Sequence, residues 1–170
     1  MRAAAATRRN FIRGRFERLG DDAIRPPTAV ADFVELCTGC GRCADACPEQ
    51  IIGLDDDRRA VIDFALGACT FCGACSDACS DGALNASAPI ALDWRAKVGA
   101  ECLSMQGIAC RACEDVCDTA AIRFRLALGG RAQPIIDTDT CTGCGACAHA
   151  CPTQAVTFTR QTPISTETKV

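Results

Sequence analysis

The residues of this chain best suited to chemistry are its sixteen cysteines, which fall into four runs. The run that begins at Cys141 has the spacing C-x2-C-x2-C-x3-C and is followed by Pro152. Cysteine thiolates at this spacing hold a cubane [4Fe–4S] cluster. A cube of iron and sulfide must be held at separate corners, and small residues such as Gly143 and Gly145 let the backbone turn closely around it. The run therefore predicts a metal cluster.

The same spacing occurs in the first and second runs, whereas the third run is irregular. From Cys102 to Cys117 the pattern is C-x7-C-x2-C-x3-C, and the longer interval is a loop at Leu103–Ala109. No cysteine is left over, so the sequence predicts four [4Fe–4S] clusters, three at regular sites and one at an irregular site. The predicted iron ligands are Cys37, Cys40, Cys43, Cys47, Cys69, Cys72, Cys75, Cys79, Cys102, Cys110, Cys113, Cys117, Cys141, Cys144, Cys147 and Cys151.

Zinc sites and disulfide bonds are the other structural uses of cysteine. Structural zinc usually takes two separated pairs of ligands, whereas each run here crowds its thiols around one centre. Disulfides belong to oxidising compartments. The spacing therefore favours iron–sulfur clusters over both.

The fourth cysteine of each run has its own expected role. In proteins with two such clusters it ligates the other cluster. Sequential pairing would join the first run with the second and the third with the fourth, so that Cys47 and Cys79 exchange sites, as do Cys117 and Cys151. Nested pairing, first with fourth and second with third, is the alternative. The predicted hairpins fall inside the sequential pairs, which favours that arrangement.

The elements that position the cysteines are short. The chain is 49% hydrophobic, but many of these residues are Cys or Ala, and aromatic residues make up only 5% of the chain. A hydrophobic core of this kind is marginal and needs bound metal or disulfide bonds to stabilise it. We expect a small α+β fold of tandem bacterial-type 2[4Fe–4S] ferredoxin-like modules, with short β-hairpins and helical turns around the clusters. The predicted strands are Phe33–Leu36, Ile51–Leu54 with Ala60–Phe64, Ile122–Leu128 with Ile135–Ile136, and Val156–Phe158.

The runs form an internal repeat of motif, hairpin and motif. Ile24–Thr28 contains two prolines and is predicted to be an extended linker. Residues 81–101 are rich in Gly, Asn, Ser and Pro and mark the expected boundary between modules. The predicted organisation is a basic arm and linker at 1–30, a first module at 31–88, a second module at 89–160 and a polar tail at 161–170.

Charge is unevenly distributed. The net charge is −3, while residues 1–18 hold six Arg and one Glu, or +5, which leaves −8 for the remainder. The arm is either a solubilising tail or a docking segment for an acidic partner. In the docking interpretation its contact residues are Arg8, Arg9, Arg13 and Arg15. No aromatic residues interleave a folded basic face, so no nucleic-acid partner is expected.

Thr7–Arg13 resembles a twin-arginine export motif, but no apolar run follows it. The expected location is therefore the cytoplasm. No segment approaches the ~18 apolar residues that a bilayer requires, so no direct membrane insertion is expected.

Few other residues suggest chemistry. His149, the only histidine, lies between two cysteines and is expected to be a loop residue, because four thiolates already serve that run. Trp94 is expected to pack. Arg42 and Arg111 lie inside motifs, where a positive charge could raise a reduction potential. No nucleophile with a neighbouring base appears, so the chain is not expected to be an enzyme.

These residues together resemble the NapF family, the ferredoxin-type accessory proteins of periplasmic nitrate reductase systems. The resemblance spans about residues 7 to 158. It is carried by Arg8-Arg9 with Arg13-Gly14-Arg15, by Ile24–Pro27 and by the irregular interval between Cys102 and Cys110. Ser80 and Asp118 replace the proline that follows the fourth cysteine, a departure that affects a turn and removes no ligand.

The resemblance implies a cytoplasmic protein that binds the precursor of the catalytic subunit of periplasmic nitrate reductase. It implies a role in maturing that subunit, by iron–sulfur loading or reduction, before export. Two alternatives stay open: a general cytoplasmic electron carrier that serves a dehydrogenase or a membrane quinol complex, and a chaperone whose clusters only hold the fold together.

Overall fold

The structure is a computed structural model and describes residues 23–87, 90 and 92–160. The basic arm with Arg8, Arg9, Arg13 and Arg15, and the polar tail at 161–170, lie outside the described residues. The described part is an α+β arrangement of one-turn helices and three two-stranded antiparallel sheets. Residues 23–87 are called here the N-terminal unit and residues 92–160 the C-terminal unit. No helix among the described residues is long and apolar enough to cross a membrane.

The hairpin of the N-terminal unit is confirmed. Strand β1 (Ile52–Leu54) pairs with β2 (Ala60–Ile62), and Ile52 faces Ile62. The polar turn between them is organised by Asp55, whose Oδ1 accepts hydrogen bonds from the backbone amides of Asp57 and Arg59. An aspartate side chain that binds the backbone two and four residues later is typical of such turns.

The hairpin of the C-terminal unit is also confirmed and is longer. Strand β4 (Ile122–Leu126) pairs with β5 (Ala132–Ile136), with Ile122 opposite Ile136. Ile122 is buried and Arg123 is exposed, as the alternation predicts.

The last strand, β6 (Val156–Arg160), has a partner that the sequence did not reveal. It pairs along its whole length with β3 (Trp94–Val98), from the stretch expected to form the boundary between modules. The N-terminal unit has a much smaller counterpart, a single bridge between Ala29 and Leu84. Both units are therefore closed by their own two ends.

The strand predicted at Phe33–Leu36 is wrong, because this segment is a one-turn helix, α1. The amide of Leu36 donates to the carbonyl of Asp32, and the amide of Cys37 donates to that of Phe33. With no described strand alongside, these local bonds are the ones that satisfy the backbone.

The segment predicted as an extended linker is not helical, but it is buried in the N-terminal unit. Arg25 is only 8% exposed, and its Nη1 donates to Asp55 Oδ2 at 2.9 Å and to the carbonyl oxygen of Ala60 at 2.9 Å. Its guanidinium lies 5.2 Å from the ring centroid of Phe33. The Thr28 hydroxyl is hydrogen-bonded to that of Ser76. These bonds fasten the segment to the hairpin and to the second cysteine run.

The main hydrophobic core crosses from one unit to the other. Phe64 and Leu84 of the N-terminal unit share a cluster of buried side chains with Leu92 and Trp94 of the C-terminal unit. The ring centroids of Phe64 and Phe158 are 4.8 Å apart. The two units are thus packed on each other.

Candidate metal centres

Each cysteine run leads into a one-turn helix that holds its penultimate cysteine. These helices are α2 (Arg42–Asp45), α3 (Ala74–Asp77), α4 (Ala112–Asp115) and α5 (Ala146–His149). In the three regular runs a glycine with positive φ precedes the helix: Gly41 at 82°, Gly73 at 80° and Gly145 at 88°. Only glycine adopts this conformation without strain. In the irregular run Arg111 takes that place with a φ of −135°.

A second backbone feature is common to all four runs. Three residues after the fourth cysteine the chain turns through a left-handed residue: Gln50, Gly82, Ala120 and Gln154, with φ of 53°, 76°, 52° and 52°. The turn occurs after Ser80 and Asp118 as it does after the two prolines. The missing prolines therefore do not change the turn.

The sixteen cysteines surround four cavities, four to each. We name them A to D after the run that supplies three of the four thiols. The empty space at each, which includes solvent at the open mouth, is about 360, 370, 340 and 310 Å³ in that order. Cavity A is lined by Cys37, Cys40, Cys43 and Cys79; B by Cys69, Cys72, Cys75 and Cys47; C by Cys102, Cys110, Cys113 and Cys151; and D by Cys141, Cys144, Cys147 and Cys117.

This grouping is the sequential arrangement, and the nested one is wrong. Each helical turn carries its third cysteine to one cavity and delivers the fourth to the neighbouring cavity. Cys43 lines A while Cys47 lines B, and Cys147 lines D while Cys151 lines C. The irregular run supplies its three thiols to cavity C, so the long loop brings Cys102 back beside Cys110 and Cys113.

The donor set of each cavity fits a [4Fe–4S] cluster. All sixteen cysteines lie in the described part of the chain and are free thiols. Among the described residues no three Cys, His, Asp or Glu side chains converge where they could hold one metal ion. Four thiols that stand apart around a cavity suit a cluster with several corners better than a tetrahedral zinc ion.

The electrostatics of the cavities favours a cationic occupant. Burial, reinforced by neighbouring thiols, raises the pKa of Cys43, Cys69 and Cys113 to about 11 and that of Cys147 to about 12. Four thiolates would repel one another in such a space. Positively charged iron removes this cost, which couples metal binding to deprotonation and folding.

Polar groups also reach the cavity sulfurs. Arg42 Nε donates to Cys40 Sγ at 3.3 Å, and this bond lowers the pKa of the Cys40 thiol. The backbone amides of Leu84 and Ala155 donate to Cys79 Sγ and Cys151 Sγ at 3.4 and 3.3 Å. Hydrogen bonds to ligand sulfurs raise a cluster's reduction potential. Nothing in the sequence pointed to the two amide donors, because every residue except proline supplies a backbone amide.

The two arginines singled out within the motifs have different surroundings. Arg42 contacts a cysteine sulfur, whereas Arg111 pairs with Glu114 at 3.0 Å and stacks over Phe124 at 5.4 Å. Arg111 therefore reaches cavity C through Phe124, which lines it.

His149 and Trp94 lie outside the sulfur sets. His149 ends helix α5 rather than lying in a loop, and its Nδ1 is 3.1 Å from the carbonyl oxygen of Ala65. Trp94 is 5% exposed and packs in the core, which confirms the packing role.

Comparison with known proteins agrees with the geometry. Two families of 4Fe–4S dicluster domains match the chain, one at residues 36–84 and the other at 108–155. Each match contains one pair of cavities apart from Cys102 of cavity C, which precedes the second.

Full-length relatives are also similar. The chain is 40% identical over 162 residues to the ferredoxin-type protein NapF of Haemophilus influenzae, covering 89% of this chain and 92% of that protein. It is 36% identical over 154 residues to NapF of Escherichia coli, covering 89% and 93%. It is 33% identical over 149 residues to the methylamine utilization ferredoxin-type protein MauM of Paracoccus denitrificans, covering 76% of this chain and 66% of that protein.

Proposed function

This chain belongs to the NapF family of ferredoxin-type iron–sulfur proteins, and from that premise we propose that it is an electron-transfer accessory protein for periplasmic nitrate reductase. In this role it binds the cytoplasmic precursor of the catalytic subunit and assists its maturation, by iron–sulfur loading or reduction, before export. The observation that carries the proposal is the set of four thiol-lined cavities in a chain that matches NapF proteins along most of its length.

Two dicluster domains give the chain four [4Fe–4S] clusters, whose chemistry is the transfer of single electrons. We assign the four thiols that line each cavity as the ligands of one cluster. Each fourth cysteine then belongs to the cluster of its neighbouring run, as the cavity linings support.

The protein's own residues determine where electrons can enter and leave. Cys40 and Cys72 are exposed, whereas Cys43 and Cys75 of the same cavities are buried. Each of these two sites therefore lies just below the surface, within reach of a docked partner. Arg42 holds a positive charge on the Cys40 sulfur and favours the reduced state of site A.

Recognition of the precursor is assigned to the basic arm. Arg8, Arg9, Arg13 and Arg15 would meet an acidic surface, and their charge contrasts with the −8 of the remaining residues. The proposed location is the cytoplasm. Electron carriers of this kind are not enzymes, and we propose the same for this chain.

A capture experiment tests the partner. The tagged protein is expressed in a nitrate-respiring host whose twin-arginine export is blocked, so that the unexported subunit accumulates. We expect the intact protein to capture that precursor, and the variant with Ala at Arg8, Arg9, Arg13 and Arg15 to capture much less. The matched control carries Lys at the same four positions and should retain capture, because it keeps the charge.

Failure to enrich the precursor with the intact protein would reject the maturation role. Undiminished capture by the Ala variant would assign recognition to another surface. Iron content is measured in each sample so that loss of clusters is not mistaken for loss of docking.

The MauM relatives favour a second candidate, a general cytoplasmic electron carrier to a dehydrogenase or a membrane quinol complex. Their names link them to methylamine utilization, so chains of this kind serve more than one system. Deleting the protein separates the candidates. A maturation role predicts inactive nitrate reductase even when an artificial dye supplies electrons, whereas a carrier role predicts full activity with the dye.

A further inference from the structure

The two units meet at a direct hydrogen bond between residues of two metal sites. The backbone amide of Cys69 donates to the carbonyl oxygen of Cys144 at 2.8 Å. Cys69 lines cavity B, and Cys144 lines cavity D. One site of each unit is thus linked to the other through one hydrogen bond.

Apolar packing lies next to this bond, at the residue that follows Cys144. Phe64, which is 5% exposed, lies against Phe158 and also covers Gly145, which lines cavity D. A Cβ on Gly145 would lie 2.0 Å from the Phe64 ring, so the contact requires a glycine. The hydrogen bond between Cys69 and Cys144, the packing of Phe64 on Gly145 and Phe158, and the contact between His149 and Ala65 together form what we call the seam.

We propose that the seam is the route by which electrons pass between the two units, so that the four sites form one chain in the order A, B, D, C. This inference rests on the cluster assignment made under the proposed function. Within each unit the exchanged fourth cysteines already join A to B and C to D. The seam then connects B to D, which completes the order A, B, D, C.

The path through the seam is short, and it is covalent except at the hydrogen bond between Cys69 and Cys144. It runs from Cys69 Sγ through its Cβ, Cα and amide, across the hydrogen bond, and through the carbonyl carbon, Cα and Cβ of Cys144 to its Sγ. Electron exchange moves one electron along it: the donor site is oxidised by one electron, the acceptor site is reduced by one, and no bond forms or breaks.

Two glycines provide a matched test. Gly145 and Gly41 precede equivalent helices with φ of 88° and 82°, so Gly145→Ala and Gly41→Ala impose the same backbone strain. Only the first places a methyl group against Phe64, because nothing lies within 4 Å of the Cβ position at Gly41. A third variant, Gly145→Ala with Phe64→Ala, keeps the strain and removes the clash.

The measurement is the proton NMR spectrum of the purified, iron-loaded protein during stepwise reduction with dithionite. Fast exchange makes the hyperfine-shifted cysteine β-protons of all four sites move together. We expect this common behaviour in the wild type, in Gly41→Ala and in the double variant. In Gly145→Ala we expect two independent sets of signals, one for A with B and one for C with D.

Two results would overturn the inference: common exchange in Gly145→Ala that matches Gly41→Ala, or two independent sets already in the wild type. Should Gly145→Ala lose iron, Phe64→Trp serves in its place, since Phe64 lines none of the four cavities and a larger ring at its position crowds the contact with Gly145. These outcomes are independent of precursor capture. A protein that captures the precursor but lacks common exchange refutes only the seam, and the reverse refutes only the proposed function.

Discussion

The two units each hold two cavities, but their first and last residues are joined in different ways. Both hold two thiol-lined cavities between two helical turns and a hairpin. The C-terminal unit joins its ends through the paired strands β3 and β6, whereas the N-terminal unit has only the bridge between Ala29 and Leu84. There the ion pair of Arg25 with Asp55 and the hydroxyl contact of Thr28 with Ser76 hold the first residues of the unit against the hairpin and the second run.

A cluster site requires only the features that all four runs share. The irregular run keeps its helical turn and its left-handed Ala120, and its thiols surround a cavity much like the others, although its first loop is longer and its φ at Arg111 is different. Helical turn, exchanged cysteine and left-handed turn are therefore the constant parts. Strand length and the first loop are free to vary.

The largest test removes one exchanged cysteine from each unit. Cys47→Ala should disrupt site B, although Cys47 belongs to the first run, and Cys117→Ala should disrupt site D in the same way. Each variant should lose up to about four of about sixteen irons. Because cluster binding supplies folding free energy, the affected unit should also become susceptible to proteolysis. Iron and sulfide analysis with mass spectrometry of the fragments measures both effects.

If Cys47→Ala instead disrupts site A, the assignment of Cys47 to the neighbouring site B is wrong. Selective alkylation of the released thiols distinguishes the outcomes, since Cys69, Cys72 and Cys75 should become reactive while Cys37 and Cys40 stay protected. The C-terminal unit, with its longer sheet, is expected to resist proteolysis better after losing one site.

Much of this arrangement was predictable from spacing. Three cysteines with x2 intervals and an exchanged fourth left few ways to group the thiols. The first hairpin followed from two β-prone runs around a polar turn, and the second from a period-two alternation before Gly129-Gly130. The pairing of β3 with β6 was not predictable, because strands far apart in sequence have no local signal. The helix at Phe33–Leu36 was missed for a related reason: a four-residue segment with three apolar side chains fits a strand or a helical turn equally well.

The seam was equally hidden. It depends on Phe64 meeting Gly145, and the sequence presents each as an ordinary part of its own hairpin or motif. The buried position of Arg25 was hidden too, since a charged residue beside two prolines suggests an exposed linker.

A smaller effect is expected from the two turn aspartates. Asp55→Asn keeps the Oδ1 acceptor of its turn but loses the charge that faces buried Arg25, at a cost of about 1–2 kcal/mol. Asp137 lies directly after β5 and organises its own turn through the amides of Asp139 and Thr140 without a buried cation, so Asp137→Asn should cost less. Anaerobic guanidinium unfolding, followed by cluster absorbance, measures both variants.

The ion pair of Asp55 with Arg25 should make the folding stability depend on pH. Burial acts to raise the pKa of the Asp55 carboxyl, but hydrogen bonds from the Arg59 amide and Arg25 outweigh it, so the pKa lies below its usual value. A depressed carboxyl pKa stabilises the folded state above the unfolded pKa of about 3.9, and this contribution is lost as pH falls through the folded pKa. The gap between wild type and Asp55→Asn should therefore be full at neutral pH and should narrow below about pH 4. A gap that widens on acidification would contradict the assignment.

The smallest effect concerns the two positions without proline. Ser80 and Asp118 occupy the place of Pro48 and Pro152 in turns of the same form, each followed by a left-handed residue at Gly82 or Ala120. Proline fixes φ and reduces the freedom of the unfolded chain, so Ser80→Pro and Asp118→Pro should each stabilise by about 0.4–1 kcal/mol. The gain at Ser80 should be the smaller, because its hydroxyl donates to Asp81 Oδ1 at 3.0 Å and proline removes that bond. Unfolding midpoints measure both, and destabilisation at Asp118 would show that the irregular run needs a turn of its own.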